Sequence, residues 1–282
     1  MATTSLPPLI RLGTRPGIGE YLRSLWVRRG FALAIPRAEL QAQHRNSVLG
    51  GVWHILDPLF LIAVYYLIFG VMLPDVTRGR WTNVVGFLAI GVFMWQFTSK
   101  SAKAGGKSVV NNESLVRAIA FPRAILPLAA VLAELAAFGV GVLVMYATAL
   151  ATGETLSWTW LMVVPLVLIQ FMWNLGLGFT FARIAHHFRD ILQVLPYTLR
   201  VIGYASGVII PIEDRLAELP TLRFILMDYN PAFILLNIAR LAILDNTVAP
   251  ARDWMILSAW AVGTLLIGFL FFLRREHEYG RG

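Results

Sequence analysis

The sequence predicts an all-α polytopic membrane protein with six transmembrane helices, an N-terminal amphipathic interfacial helix and an extracellular re-entrant helical hairpin before the last span. Three observations predict it. Of the 282 residues 57% are hydrophobic and only 14% charged, and the apolar residues fall in long runs nearly free of charge, as in membrane chains. Basic residues concentrate in every second loop, as the positive-inside rule requires. Asn230 and Pro231 break the one further apolar run that could pass for a seventh span.

The elements follow in order from two regions, a cytoplasmic N-terminal region at 1–50 and a membrane domain at 51–282. The first twenty residues contain Arg11, Arg15 and several Pro and Gly but no apolar core, so no signal peptide is expected there. In GEYLRSLWVRRGFALAIPRAELQAQHR, Leu22, Leu25, Trp26 and Leu33 stand at helical spacing in a segment too charged to span. That is an interfacial helix. Pro36 interrupts it, and a second short helix is expected to run from there toward Arg45. Hydropathy places the spans at about residues 51–73, 84–99, 124–150, 159–182, 194–212 and 255–273. The second is short of the roughly 20 residues a bilayer demands, so its small-residue tail is expected to extend the helix. Between the last two spans, residues 213–245 form the re-entrant hairpin, two short helices that enter from outside and return at the Asn-Pro turn.

Charge fixes the expected orientation. Seven Arg precede the first span, five basic residues lie in 100–123, three in 183–200 and three in the C-terminal tail, so eighteen of twenty-four occupy alternate segments. Both termini and the loops at 100–123 and 183–200 are therefore expected in the cytoplasm. The net charge of +8 is then a membrane signature and no nucleic-acid partner is implied. All three Lys fall between residues 100 and 107, against 21 Arg elsewhere.

No catalytic constellation and no metal site is expected. The chain has no cysteine, which excludes disulfides and thiolate chemistry. His186 and His187 are adjacent loop residues without further ligands. AGGKS at 104–108 resembles the end of a phosphate-binding loop, but Ser101 occupies the place of the first glycine and no strand precedes it. The sequon at Asn112, Glu113 and Ser114 lies in an expected cytoplasmic loop and is a chance match. Glu134 and Arg200 sit within apolar segments, where an ionised group costs roughly 2.5–3.5 kcal/mol. Glu134 is read as a helix contact, while Arg200 is close enough to the boundary to reach it along its stem.

The loop at 100–123 contains a short helix. Asn111 or Asn112 suits the N-cap, Glu113 the first turn, and Leu115, Val116 and Ile119 form an apolar edge before Phe121 and Pro122 end it. Projecting from a basic loop, that edge is expected to lack a surface of its own chain and to dock a soluble partner. Aromatics within the spans include Tyr65, Tyr66, Phe69, Trp95, Phe97, Trp173, Tyr197 and Tyr204. Most membrane aromatics pack or form interface belts. Tyr66, Trp95 and Tyr204 sit deeper, where polar-edged rings can stack on sugars.

RNSVLGGVWHILDPLFLIAVYYLIFG at 45–70, NESLVRAIAFPRAILPL at 112–128, RDI at 189–191 and the Asn-Pro pair together resemble the permease subunits of polysaccharide-exporting ABC transporters, often called Wzm. The family includes exporters of O-antigen, teichoic acid, capsule and galactan. The resemblance implies a homodimer in the bacterial inner membrane, paired with two copies of a separate nucleotide-binding ATPase, that exports a polysaccharide linked to polyprenyl diphosphate. ATP and Mg would sit on that partner, and this chain would carry no cofactor. It further implies that Asn112, Glu113, Leu115, Val116, Arg117, Ile119, Phe121, Pro122 and Arg123 couple to the ATPase. A gate helix near 36–50 would offer Arg45, Ser47, Gly50 and Trp53 to the lipid headgroup. Tyr65, Tyr66, Phe69, Trp95, Phe97, Trp173, Tyr197 and Tyr204 become candidates for the channel lining. His44 departs from the family pattern, which commonly has a tyrosine there. The Arg-rich composition resembles actinobacterial members, for which galactan is the favoured cargo. Three other classes compete: a drug or lipid exporter of the same architecture, a proton-coupled secondary transporter and a membrane glycosyltransferase. The second needs a repeated half with paired buried carboxylates, and the third a carboxylate-rich site at the membrane surface. The only acidic cluster is Glu213, Asp214 and Glu218.

Overall fold

The computed structural model describes residues 18–27, 52–72, 83–119, 121–213 and 219–276, and every regular element among them is helical. In chain order these are α1 (Ile18–Val27), α2 (Trp53–Tyr65), α3 (Val84–Asn111), α4 (Glu113–Ala118), α5 (Ile125–Ala151), α6 (Val163–His187), α7 (Ile191–Ala205), α8 (Pro220–Arg223), α9 (Pro231–Ile243) and α10 (Ala251–Leu273). A π-helical stretch, Tyr66–Met72, continues α2, another, Phe224–Asp228, continues α8, and a 3-10 turn, Trp158–Met162, opens α6.

Among the described residues, four helical stretches are long and apolar enough to cross a membrane: Val84–Asn111, Ile125–Ala151, Trp158–His187 and Ala251–Leu273. A fifth candidate is the pair Pro220–Asp228 and Pro231–Ile243, bent by 72°. The expected first and fifth spans are shorter as helices. At about 1.5 Å per residue, the 15 residues of α7 reach roughly 22 Å, less than the hydrocarbon core. Pro196 lies inside α7 and removes a backbone donor. The second span gains its length as expected, because α3 runs for 28 residues through the small residues of 101–108.

Local signals set the boundaries. The Asn83 side chain accepts from the Gly86 amide (2.8 Å) and caps α3. Its Nδ2 donates to Thr152 and Glu154, which ties the start of α3 to the end of α5. At the hairpin break the Asn230 side chain accepts from the Ala232 amide (3.0 Å) and Pro231 occupies the first turn of α9. The Asn230 amide donates to the Ser206 hydroxyl, so the turn is also held to the end of α7.

Lipid gives helices no hydrophobic reason to associate, and close packing of small residues takes that role. A Cβ on Gly105 would lie 2.5 Å from the Gly178 Cα, and one on Gly176 would lie 2.5 Å from the Thr264 backbone. These glycines let α3, α6 and α10 approach backbone to backbone. The three helices run parallel: toward their C-terminal ends Gly105 meets Gly178, and Phe179 meets Phe269 and Phe272. Gln170 fastens the first pair by donating to the Met94 carbonyl (2.8 Å) and the Thr98 hydroxyl (2.9 Å). Antiparallel α5 closes on α3, with Phe97 stacked on Phe138 at 4.6 Å.

The contacts sort the loops into two ends. Asn83, Thr152, Trp160 and Asn246 meet at one, where Trp160 donates to Asn246 and Thr159 to the Ala242 carbonyl. Tyr21, Glu113, Arg123, Arg189 and Glu276 meet at the other.

Candidate functional site

The second of these ends gathers most of the basic loops. Glu113 opens α4 and pairs with Arg189 at 2.5 Å, with Arg117 one turn on at 3.7 Å. This joins the 100–123 segment to the 183–200 segment, whose charges the sequence assigns to one side of the membrane. Asn112 stands at the N-cap position without a capping bond, and its amide donates instead to the Ser108 carbonyl at 2.9 Å. The chain therefore leaves α3 through a tight corner and α4 is pinned beneath it.

The apolar edge of α4 differs from the expectation that it has nothing of its own chain to pack against. Val116 is buried in a cluster with Tyr21, Val109, Leu126, Phe179 and Phe272, and Leu115 and Phe121 pack on its margin. Ile119 remains 47% exposed. Residues from α1, α3, α5, α6 and α10 build the cluster, which no spacing within 112–123 could reveal. Pro122 follows as a half-buried residue.

A polar junction lies beside that cluster. The buried Tyr21 hydroxyl donates to Glu276 Oε1 (2.7 Å) and accepts from the Ala124 amide (3.2 Å). Glu276 also accepts from the Arg123 amide (2.7 Å), and its carbonyl accepts from the Arg123 guanidinium. Burial, then the neighbouring Glu276 charge, pushes the Tyr21 hydroxyl well above the usual tyrosine range, so it stays a proton donor. The N-terminal helix, the start of α5 and the C-terminal segment are thus knotted together. Sequence reading missed both: Tyr21 shows only a polar tip on an otherwise apolar edge, and Glu276 is one carboxylate in a charged tail.

The channel-lining candidates divide into two groups. Trp95, Phe97 and Trp173 pack inside the chain, Trp95 against Gly203, where a Cβ would fall 2.5 Å from the indole nitrogen. Tyr66, Tyr197 and Tyr204 are exposed and Tyr65 is half-buried. Tyr65 lies beside Tyr204, with Arg200 in electrostatic reach. So α2 and α7 present a shared tyrosine face. Phe69 falls in the π-helical stretch, and its side chain lies outside the described residues. Of the gate candidates, Arg45, Ser47 and Gly50 lie outside the described residues, while Trp53 begins α2 at 39% exposure.

Cations line the flank of that face. Lys100, Lys103 and Lys107 form one stripe on α3, and Lys103 is within electrostatic reach of the other two, of Arg200 and of Glu134. Lys100 and Glu134 also line a shallow groove between α3 and α5, beside the buried rings of Phe93, Phe97 and Phe138. Residues 104–108 are helical, with Gly105 and Gly106 buried in helix contacts. A phosphate-cradling loop is therefore excluded at AGGKS. Among the described residues no three His, Asp or Glu converge on a point where a metal could sit.

Over 258 residues, 92% of this chain and 97% of the relative, it is 26% identical to the O-antigen export system permease protein RfbA of Myxococcus xanthus. A protein of the same name from Klebsiella pneumoniae is 27% identical over 180 residues, 63% of this chain and 67% of the relative. Residues 32–244 match the family described as ABC-2 type transporter, so this chain belongs to the ABC-2 transporter family, the multi-pass membrane subunits that normally work with a nucleotide-binding ATPase.

Proposed function

We propose that the chain is the permease half of an ABC exporter that moves a polysaccharide linked to polyprenyl diphosphate, with galactan the favoured cargo, out across the bacterial inner membrane. The observation that carries this reading is likeness to O-antigen export permeases over nearly the whole chain. In this reading the 72° pair at 220–243 is the re-entrant hairpin and α2 and α7 complete six spans. The end bearing Tyr21, Glu113 and Glu276 faces the cytoplasm, together with both termini. Alpha-1 lies along the interface there.

Two copies pair across the exposed face of α2 and α7, where Tyr66, Leu67, Tyr197 and Val201 are each at least 42% exposed. Tyrosines lining that seam offer stacking faces and hydroxyls to sugar rings without binding any one sugar tightly. Two copies of a separate ATPase dock under α4, and ATP and Mg bind there. Alpha-4 passes the ATPase stroke into α3, because Asn112 and the Glu113–Arg189 pair hold it against both α3 and the loop after α6.

The test is export itself. A host lacking its own polysaccharide permease, given this chain with its partner ATPase, should display surface glycan. Glycan trapped inside, with drug or lipid efflux restored instead, would move the assignment to the other class of exporter.

A further inference from the structure

We propose that Lys100, Lys103 and Lys107 of α3, with Arg200 of α7, form a track that takes the diphosphate headgroup of the lipid carrier from the cytoplasmic surface into the membrane. The inference rests on the reading of the cargo as lipid-linked glycan and names the residues that would handle its charge. Every lysine of the chain belongs to this stripe. Spacings of three and four residues put them on one helical face. Counting back from Asn111 at about 1.5 Å per residue, Lys107 lies roughly 6 Å from the helix end, Lys103 about 12 Å and Lys100 about 16 Å.

None of the three lysines, nor Arg200, has a salt bridge among the described residues, although Lys103 is half-buried. Among the described residues, Glu134 is the carboxylate in electrostatic reach of Lys103, against three neighbouring cations. Four cations with one carboxylate repel one another and favour an anion of more than one charge. A surface lysine alone would serve as a lipid-phosphate contact. Lys100, at the end of the expected second span, opens instead into the groove between α3 and α5. A diphosphate on an apolar carrier matches this setting, a compact multiple charge for the lysine stripe of an otherwise apolar helix. Arg200 adds a planar donor fork for phosphate oxygens beside the tyrosine pair, where the first sugar would follow.

The test uses the complete complex with its ATPase in nanodiscs and measures binding of a sugar-free, fluorescent polyprenyl diphosphate. Lys103→Gln and Arg200→Gln should each weaken binding about tenfold, and together about a hundredfold. Lys103→Arg, which keeps the charge, should stay within about threefold of wild type. All variants should bind the ATPase and keep basal ATP turnover within about twofold, because the stripe lies apart from α4. Unchanged diphosphate binding in the double variant overturns the proposal while leaving glycan export by the wild type, and hence the function, intact. A response only to replacing neutral by phosphatidylglycerol nanodiscs also overturns it, because it assigns the stripe to bulk lipid.

Discussion

Arg240 is 1% exposed and lies on α9, surrounded by apolar side chains. Its Nη2 donates to the carbonyls of Gly207 (2.9 Å) and Val208 (3.2 Å), just past the end of α7, and its guanidinium carbon lies 3.4 Å from the Phe87 ring centre. A charged donor bonded to a backbone oxygen contributes about 1.5–3 kcal/mol, so losing both bonds should cost about 3 kcal/mol or more. Arg240→Lys should recover only part of what Arg240→Leu loses, since an ammonium can donate to the carbonyls but lacks the planar face that lies over the Phe87 ring. Thermal unfolding in detergent checks this, and a lysine variant with wild-type stability would show the stacking to be dispensable. In the sequence, Arg240 is legible only as an argument against a seventh span. Its partners come from 33 and 153 positions away, a distance over which no periodicity speaks.

The element that most needs a partner is α4. Because Val116 is buried and Ile119 is not, the two substitutions should separate folding from docking. Val116→Asp should cost the chain itself about 2–4 kcal/mol by placing an unpaired charge in the cluster. Ile119→Asp should leave stability within about 0.5 kcal/mol and release or uncouple the ATPase. Co-purification with ATPase measurement tells them apart; full coupling in Ile119→Asp would move the docking surface elsewhere. Tyr21→Phe keeps the ring and removes one donor and one acceptor, so α1 should become about ten times more accessible to limited proteolysis. Protection equal to wild type would show the junction to be held by packing alone. The existence and start of α4 were readable from Asn112 and Glu113, because such signals are local, but the helix ends at Ala118, ahead of the stop expected at Phe121 and Pro122. The burial of Val116 was not, because α1, α6 and α10 supply the other side.

At the scale of the molecule, charge and hydropathy carry most of the architecture, and the six-span arrangement makes a clean test in a chain with no cysteine. Single cysteines at Arg78, Thr155 and Ala217 should react with an impermeant reagent from outside intact cells, and one at Gly280 should not. Outside labelling at position 280 would end the arrangement. The limits of α5 follow hydropathy within a residue, while α3 and, with its opening 3-10 turn, α6 start as expected and run on past their expected ends, to Asn111 and His187. The first and fifth expected spans depart because regular α-helix stops early: α2 passes into a π-helical stretch after Tyr65, and α7, with Pro196 inside it, ends at Ala205. The tyrosine face was legible as residue types, yet only packing could divide it from Trp95, Phe97 and Trp173. The parallel trio of α3, α6 and α10 also fixes how the molecule can deform. Glycine backbones locked at their crossings and Gln170 bonded across α3 leave no room for one helix to slip a fraction of a turn along another. The trio therefore behaves as a stiff beam, with compliance confined to the shorter, broken helices beside it. A stroke delivered at one tip is geared into a tilt of the whole beam, and the far tip, near Asn83 and Trp160, moves without any signal having to pass residue by residue.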